Sequence, residues 1–119
     1  MNERRFPHHR LEAYHQALEL VTLAKEANER IPRGFRSLAD QLLRSTTGVA
    51  LLTAEGANRY GAAQKRQRYN EARGECGEAA ATVEILTRLG IVSQPDARRF
   101  QTRAARIGAL LTGLIRRFG

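Results

Sequence analysis

Proline occurs at only three positions, Pro7, Pro32 and Pro95, and the stretches between them carry apolar residues at helical spacing. Residues recurring at i, i+3, i+4 and i+7 line one face of a helix. No stretch shows the strict alternation of a half-buried strand. The pattern predicts an all-α fold, an antiparallel up-and-down four-helix bundle with short connections. Residues 1–119 are expected to form a single domain, with helices over 11–30, 36–55, 62–89 and 94–118.

In the first helix the expected inner stripe is Leu11, Tyr14, Ala17, Leu18, Val21 and Ala24. Glu12, Glu19 and Glu26, seven apart, run along the opposite side. Leu20, Leu23 and Ala27 fall outside the stripe, and three apolar residues on one flank suggest a subunit contact. Ile31-Pro32-Arg33-Gly34 breaks the chain. The second helix should turn Leu38, Leu42, Thr46, Val49, Ala50 and Thr53 inward and end at Gly56. Leu51 and Leu52 point to its other side, near Gln41, Arg44, Gly48 and Glu55. Either this helix is central or that side meets another subunit.

Ala57 to Gly61 reads as a turn. The third helix buries Tyr69, Ala72, Cys76, Ala79, Ala80, Val83 and Leu86, and stops at Gly90. The fourth is capped by Ser93 and buries Ala97, Phe100, Ala104, Ile107, Leu111, Leu114, Ile115 and Phe118.

The chain has 119 residues, enough for a core without disulfides and too few for most enzymes that need a large cleft. Cys76 is the lone cysteine, so an internal disulfide and a cysteine zinc cage are excluded. The longest uncharged run, Ser45–Ala54, is about half a membrane span. The first residues lack the apolar stretch of a secretory signal, so a soluble cytoplasmic protein with no membrane partner is expected. Of His8, His9 and His15, only His15 follows a glutamate by three, at Glu12, whereas the di-metal carboxylate bundles use two such Glu-x-x-His motifs on facing helices. Neither catalytic residues, metal nor cofactor is expected.

Charge is the strongest functional signal. Twenty Lys and Arg stand against twelve Asp and Glu, a net +8, and eighteen of the twenty are arginine. From Arg30 onward sixteen bases face seven acids, while residues 1–29 hold four bases and five acids. Such a balance suits a polyanion, and the guanidinium fork binds two phosphate oxygens at once. The candidate nucleic-acid-binding residues are Arg59, Lys65, Arg66 and Arg73, with Arg98, Arg99, Arg103 and Arg106. An alternative keeps these arginines for subunit contacts, meeting the Glu12, Glu19 and Glu26 line of a neighbouring copy in a structural scaffold. Tyr60, beside Arg59, could stack on a base; a structural role over the open end of the bundle is preferred.

Leu38-Ala39-Asp40-Gln41-Leu42-Leu43-Arg44, then Ala54-Glu55-Gly56 and Arg59, then Ala72-Arg73-Gly74 with Glu78, resemble one bacterial group. It is the four-helix-bundle family of 23S rRNA intervening-sequence proteins, related to the accessory variability-determinant protein of diversity-generating retroelements. The chain departs from the family pattern at Leu52-Thr53, where Asn-Ile is common, and at Gly74-Glu75, where Gly-Ser is common. The resemblance implies a homopentameric ring. For the retroelement member it implies nucleic-acid binding and a reverse transcriptase partner. Gln41, Arg44, Glu55, Gly56 and Glu78 match its recurring positions. With Leu20, Leu23, Leu51 and Leu52, the residues Gln41, Arg44 and Glu55 are the expected oligomer interface or polar network.

Overall fold

The computed structural model describes residues 5–119 and contains four α-helices. They are α1 (Glu12–Asn28), α2 (Arg36–Asn58), α3 (Ala62–Arg88) and α4 (Gln94–Arg117). Single 3-10 turns, Pro7–Arg10 and Arg33–Phe35, precede α1 and α2. Each helix packs on the next, and α1 closes the ring against α4, leaving both diagonals apart. This is an up-and-down four-helix bundle, 43 × 31 × 22 Å.

The helix ends follow local chemistry. Gly90 takes φ +76 after α3, so the Ile91 amide can reach the Leu86 carbonyl at 2.9 Å and the Gly90 amide that of Thr87 at 3.0 Å. Glycine enters this left-handed region without a Cβ clash. Ser93 Oγ then accepts from the Asp96 amide at 3.3 Å and opens α4. The α2 end is different from the expectation. Gly56 does not stop the helix; it lies buried shortly before the end because the Tyr69 ring occupies the space of a side chain. A Cβ on Gly56 would lie 2.6 Å from Tyr69 Cε1.

α1 gives the core mostly alanines, and the other helices mix alanines with larger residues. Ala13, Ala17, Leu20 and Ala24 are buried on α1, with Leu42, Val49, Tyr69, Val83, Leu86, Phe100, Ile107 and Leu111 on the others. Thr46 and Thr53 sit in the core because their hydroxyls donate to the Leu42 and Val49 carbonyls, at 2.9 and 2.6 Å. Cys76 is buried too, its thiol donating to the Ala104 carbonyl at 3.2 Å and held in protonated form by burial.

Two expectations for α1 are corrected. Leu20 is fully buried in the protomer's own core and is no interface residue. Leu18, expected inside, is exposed. Ala13, Ala17 and Ala24 share the buried face with Leu20, so the inner stripe runs 13-17-20-24. Leu23 is half-buried against the same core and lines a cavity of about 150 Å³ between α1 and α4, together with Val83 and Phe100. Leu52 also packs on its own core.

Candidate nucleic-acid interface

The spacing of α4 sets its two faces. Ala97, Phe100, Ala104, Ile107 and Leu111 turn inward, which leaves Arg98, Arg99, Arg103 and Arg106 on the outer and α1-facing side. These four arginines line one open groove between α1 and α4, with Gln16, Leu23, Pro95 and Thr102. Arg98 is exposed and makes no ion pair or hydrogen bond among the described residues. Arg99 stands 3.7 Å from Asp96, which Arg30 holds more closely at 3.0 Å. Arg103 donates to Gln16 Oε1 and is half-buried. Arg106 pairs with Glu12 at 2.8 Å.

Glu12 of the expected acidic line meets Arg106 of its own chain's α4, whereas Glu19 and Glu26 are exposed. The arginine stripe has no acid after Asp96 in sequence, and α1 beside it supplies Glu12 as the counter-charge of Arg106.

The other basic candidates divide. Lys65 closes the end of α2, donating to the Ala57 and Gly56 carbonyls at 2.8 and 3.3 Å, with its ammonium 5.6 Å from the Phe118 ring centre. Arg66 donates to the Phe118 carbonyl at 2.6 Å. Both charges therefore hold the C-terminal end against α3. Arg73 is exposed and donates to Thr112 Oγ1 at 2.9 Å. Arg59 is exposed in the α2–α3 turn without a side-chain partner among the described residues. Tyr60 beside it is fully exposed and covers nothing, against the expected structural role. Its place in the turn, next to Gly61, was the available signal, since such a turn leaves no helix face to cover it.

The α2–α3 side forms a separate polar network. Arg44 donates to Gln41 Oε1 at 2.6 Å and to Glu78 Oε1 at 3.4 Å. Arg68 lies 3.0 Å from Glu71 and 3.6 Å from Glu55. Glu75 lies over Gly48 with one carboxylate oxygen buried and unpartnered. Burial raises its pKa, and a hydrogen bond with Glu78 adds to this. Gln41, Arg44 and Glu55 thus lie within one protomer's network, beside Leu51, which is 66% exposed.

At the N-terminal end, His8, His9 and His15 gather around Tyr14, with His8 and His9 ring centres 4.4 Å apart. Asn58 on α2 lies 2.8 Å from His8 Nδ1, so this segment is docked on the bundle. Burial first, then the neighbouring imidazoles, lower the His8 pKa. Among the described residues no three His, Cys, Asp or Glu are placed to hold a metal, and no helix is long and apolar enough to cross a membrane.

Comparison with known proteins agrees with this architecture. The model of a family described as 23S rRNA-intervening sequence protein matches residues 9–113. A solved structure from Bacteroides thetaiotaomicron, a protein of unknown function from the S23 ribosomal protein family, is similar with a TM-score of 0.79. The two share 19% sequence identity, over 87% of this chain and 97% of that one, and the likeness speaks for the fold. No curated protein matches the chain.

Proposed function

This chain belongs to the 23S rRNA-intervening sequence protein family, and we propose that it is a non-enzymatic, self-associating protein that binds RNA or DNA. The observation that carries this reading is the α1–α4 groove, where four arginines converge and, among the described residues, their ion-pair partners are Glu12 and Asp96. From Arg98 to Arg106 is about 12 Å of helix, the reach of a few phosphates on one strand. Partly exposed ion pairs such as Arg106–Glu12 contribute about 0–1 kcal/mol, so phosphate can displace them. The family description names 23S rRNA, which accords with a nucleic-acid ligand. Binding is mainly electrostatic and weakly sequence-selective, and self-association multiplies a modest contact. The homopentamer and a retroelement reverse transcriptase as partner are the finer form of this reading, and both rest on the resemblance.

Salt titration tests it. Six phosphate contacts on duplex DNA give a log–log slope of roughly −5. Replacing Arg98 and Arg99 with alanine should flatten that slope by about two and leave the fold intact. Affinity that does not change with salt would sink the electrostatic mechanism.

The alternative, a structural scaffold, is favoured by Arg103 and Arg106, which already tie α4 to α1. In that case the purified protein carries no nucleic acid, and its 260/280 nm absorbance ratio is that of protein alone.

A further inference from the structure

The end of the bundle bearing the α2–α3 turn offers something the arginine groove lacks. Tyr60 is as open to solvent as in an extended peptide, with a relative exposure of 103%. The other two tyrosines are packed: Tyr69 is buried beside Gly56, and Tyr14 lies among three imidazoles. An aromatic ring left wholly in water adds nothing to folding, since its contribution comes from area removed from solvent.

The turn that carries this ring is firmly framed. The Arg59 amide donates to the Gly56 carbonyl at 3.4 Å, and the Lys65 amide to that of Gly61 at 2.9 Å. The Lys65 ammonium bridges back to Ala57. The ring is therefore held out from the short link, residues 59–61, between two long helices.

The same end of the bundle is cationic. Arg59 precedes it and is exposed. Arg66 and Lys65 bring the C-terminal end of α4, with exposed Arg116 and Arg117, against the start of α3. Glu55, the nearest acid along α2, is already beside Arg68. An open aromatic face among exposed guanidinium groups is the arrangement that binds single strands, whose bases have unstacked faces to offer. A duplex keeps its bases stacked on one another and presents only phosphate there.

We infer that Tyr60 is a stacking platform for an unpaired base, with Arg59 and the Arg116–Arg117 pair on the flanking phosphates, so that the ligand includes single-stranded RNA or DNA. This rests on the nucleic-acid reading above and narrows its substrate class. The phenol hydroxyl has no part in stacking, so phenylalanine substitutes for tyrosine and alanine does not.

The test compares full-length wild type, Tyr60→Ala and Tyr60→Phe on a fluorescein-labelled poly(dT) strand and on a blunt duplex of equal length. Tyr60→Ala should weaken single-strand binding roughly tenfold or more, the worth of one stacked base. Tyr60→Phe should retain wild-type affinity, and neither variant should change duplex binding. The chain has no tryptophan, so tyrosine emission is directly visible. It should be quenched by the single strand in wild type and not in Tyr60→Ala. Unchanged single-strand affinity in Tyr60→Ala, or an equal loss on both ligands, overturns the assignment. So does a smaller particle by light scattering with nucleic-acid binding intact, which would make Tyr60 a self-association residue. Wild type that binds duplex with a salt slope while Tyr60→Ala is silent removes this inference alone. Wild type that binds neither ligand removes the nucleic-acid reading with it.

Discussion

Arg106 on α4 and Glu12 on α1 meet at 2.8 Å, a single ion pair that links the most basic helix to the most acidic end of the chain. Glu12 also accepts from Arg106 Nε at 3.3 Å, so one oxygen takes both donors. The pair is half exposed on both sides, and its net stability is therefore small. Removing the carboxylate leaves a guanidinium free in the groove. Glu12→Gln is expected to cost less than about 1 kcal/mol in stability. It should tighten polyanion binding about two- to fivefold, the equivalent of about 0.5–1 kcal/mol. Thermal unfolding and fluorescence anisotropy at fixed salt check the two halves.

Glycines separate tight packing from open space. Gly56→Ala places a methyl against the Tyr69 ring, and such overpacking costs about 1–3 kcal/mol. A methyl on Gly77 would meet nothing within 4 Å, so Gly77→Ala should gain up to about 1 kcal/mol from helix propensity. Urea unfolding of both variants should give opposite signs. A loss of assembly in Gly77→Ala would instead reveal a close contact with another copy.

Leu20 and Leu51 should behave as opposites. Leu20 is fully buried, and Leu20→Ala is expected to lower stability by about 2–5 kcal/mol. Leu51 is mostly exposed in the protomer, so Leu51→Ala should stay within about 0.5 kcal/mol for the fold. If self-association uses the α2 side, Leu51→Ala shifts sedimentation toward smaller species.

Glu75 sets a pH dependence with a definite sign. Its folded pKa is raised above 4.5 by burial and by Glu78, so the folded state holds the proton more tightly than the unfolded chain. Its contribution is fully present below pH 4.5 and is lost as pH rises through the folded pKa. Glu75→Gln removes this dependence and gives Glu78 an amide donor. The variant should melt higher than wild type at about pH 7, with the difference shrinking as the pH falls toward the ordinary carboxylate range. Equal melting temperatures across that range would show that the Gly48 side solvates the carboxylate fully.

His8 works in the opposite sense. Burial and the adjacent imidazoles lower its folded pKa below 6.5, so its contribution is present above pH 6.5 and lost as pH falls through the folded value. Protonation would also oppose the Asn58 contact at Nδ1. His8→Gln should therefore reduce the loss of stability between neutral and mildly acidic pH, measured by thermal melts in matched ionic strength.

Much of the architecture was legible from spacing. The proline and glycine breaks, the Ser93 cap and the inner stripe of α4 are local features, set by backbone geometry within a few residues. The same is true of the excess of arginine that points to a polyanion. Tertiary packing decided the rest. The rotation of α1, which buries Ala13, Ala17, Leu20 and Ala24 and leaves Leu18 exposed, is set by the helices it packs on, and the periodicity within α1 does not decide it. Gly56 reads as a helix stop until the Tyr69 ring, on the next helix, claims its space. Which basic side chains stay open is likewise a property of the assembled bundle: Lys65 is drawn to carbonyls at the end of α2, Arg66 to the Phe118 carbonyl and Arg106 to Glu12, while Arg59 and Arg98 face water. Those partners lie on other helices, so only the fold brings them within hydrogen-bond reach.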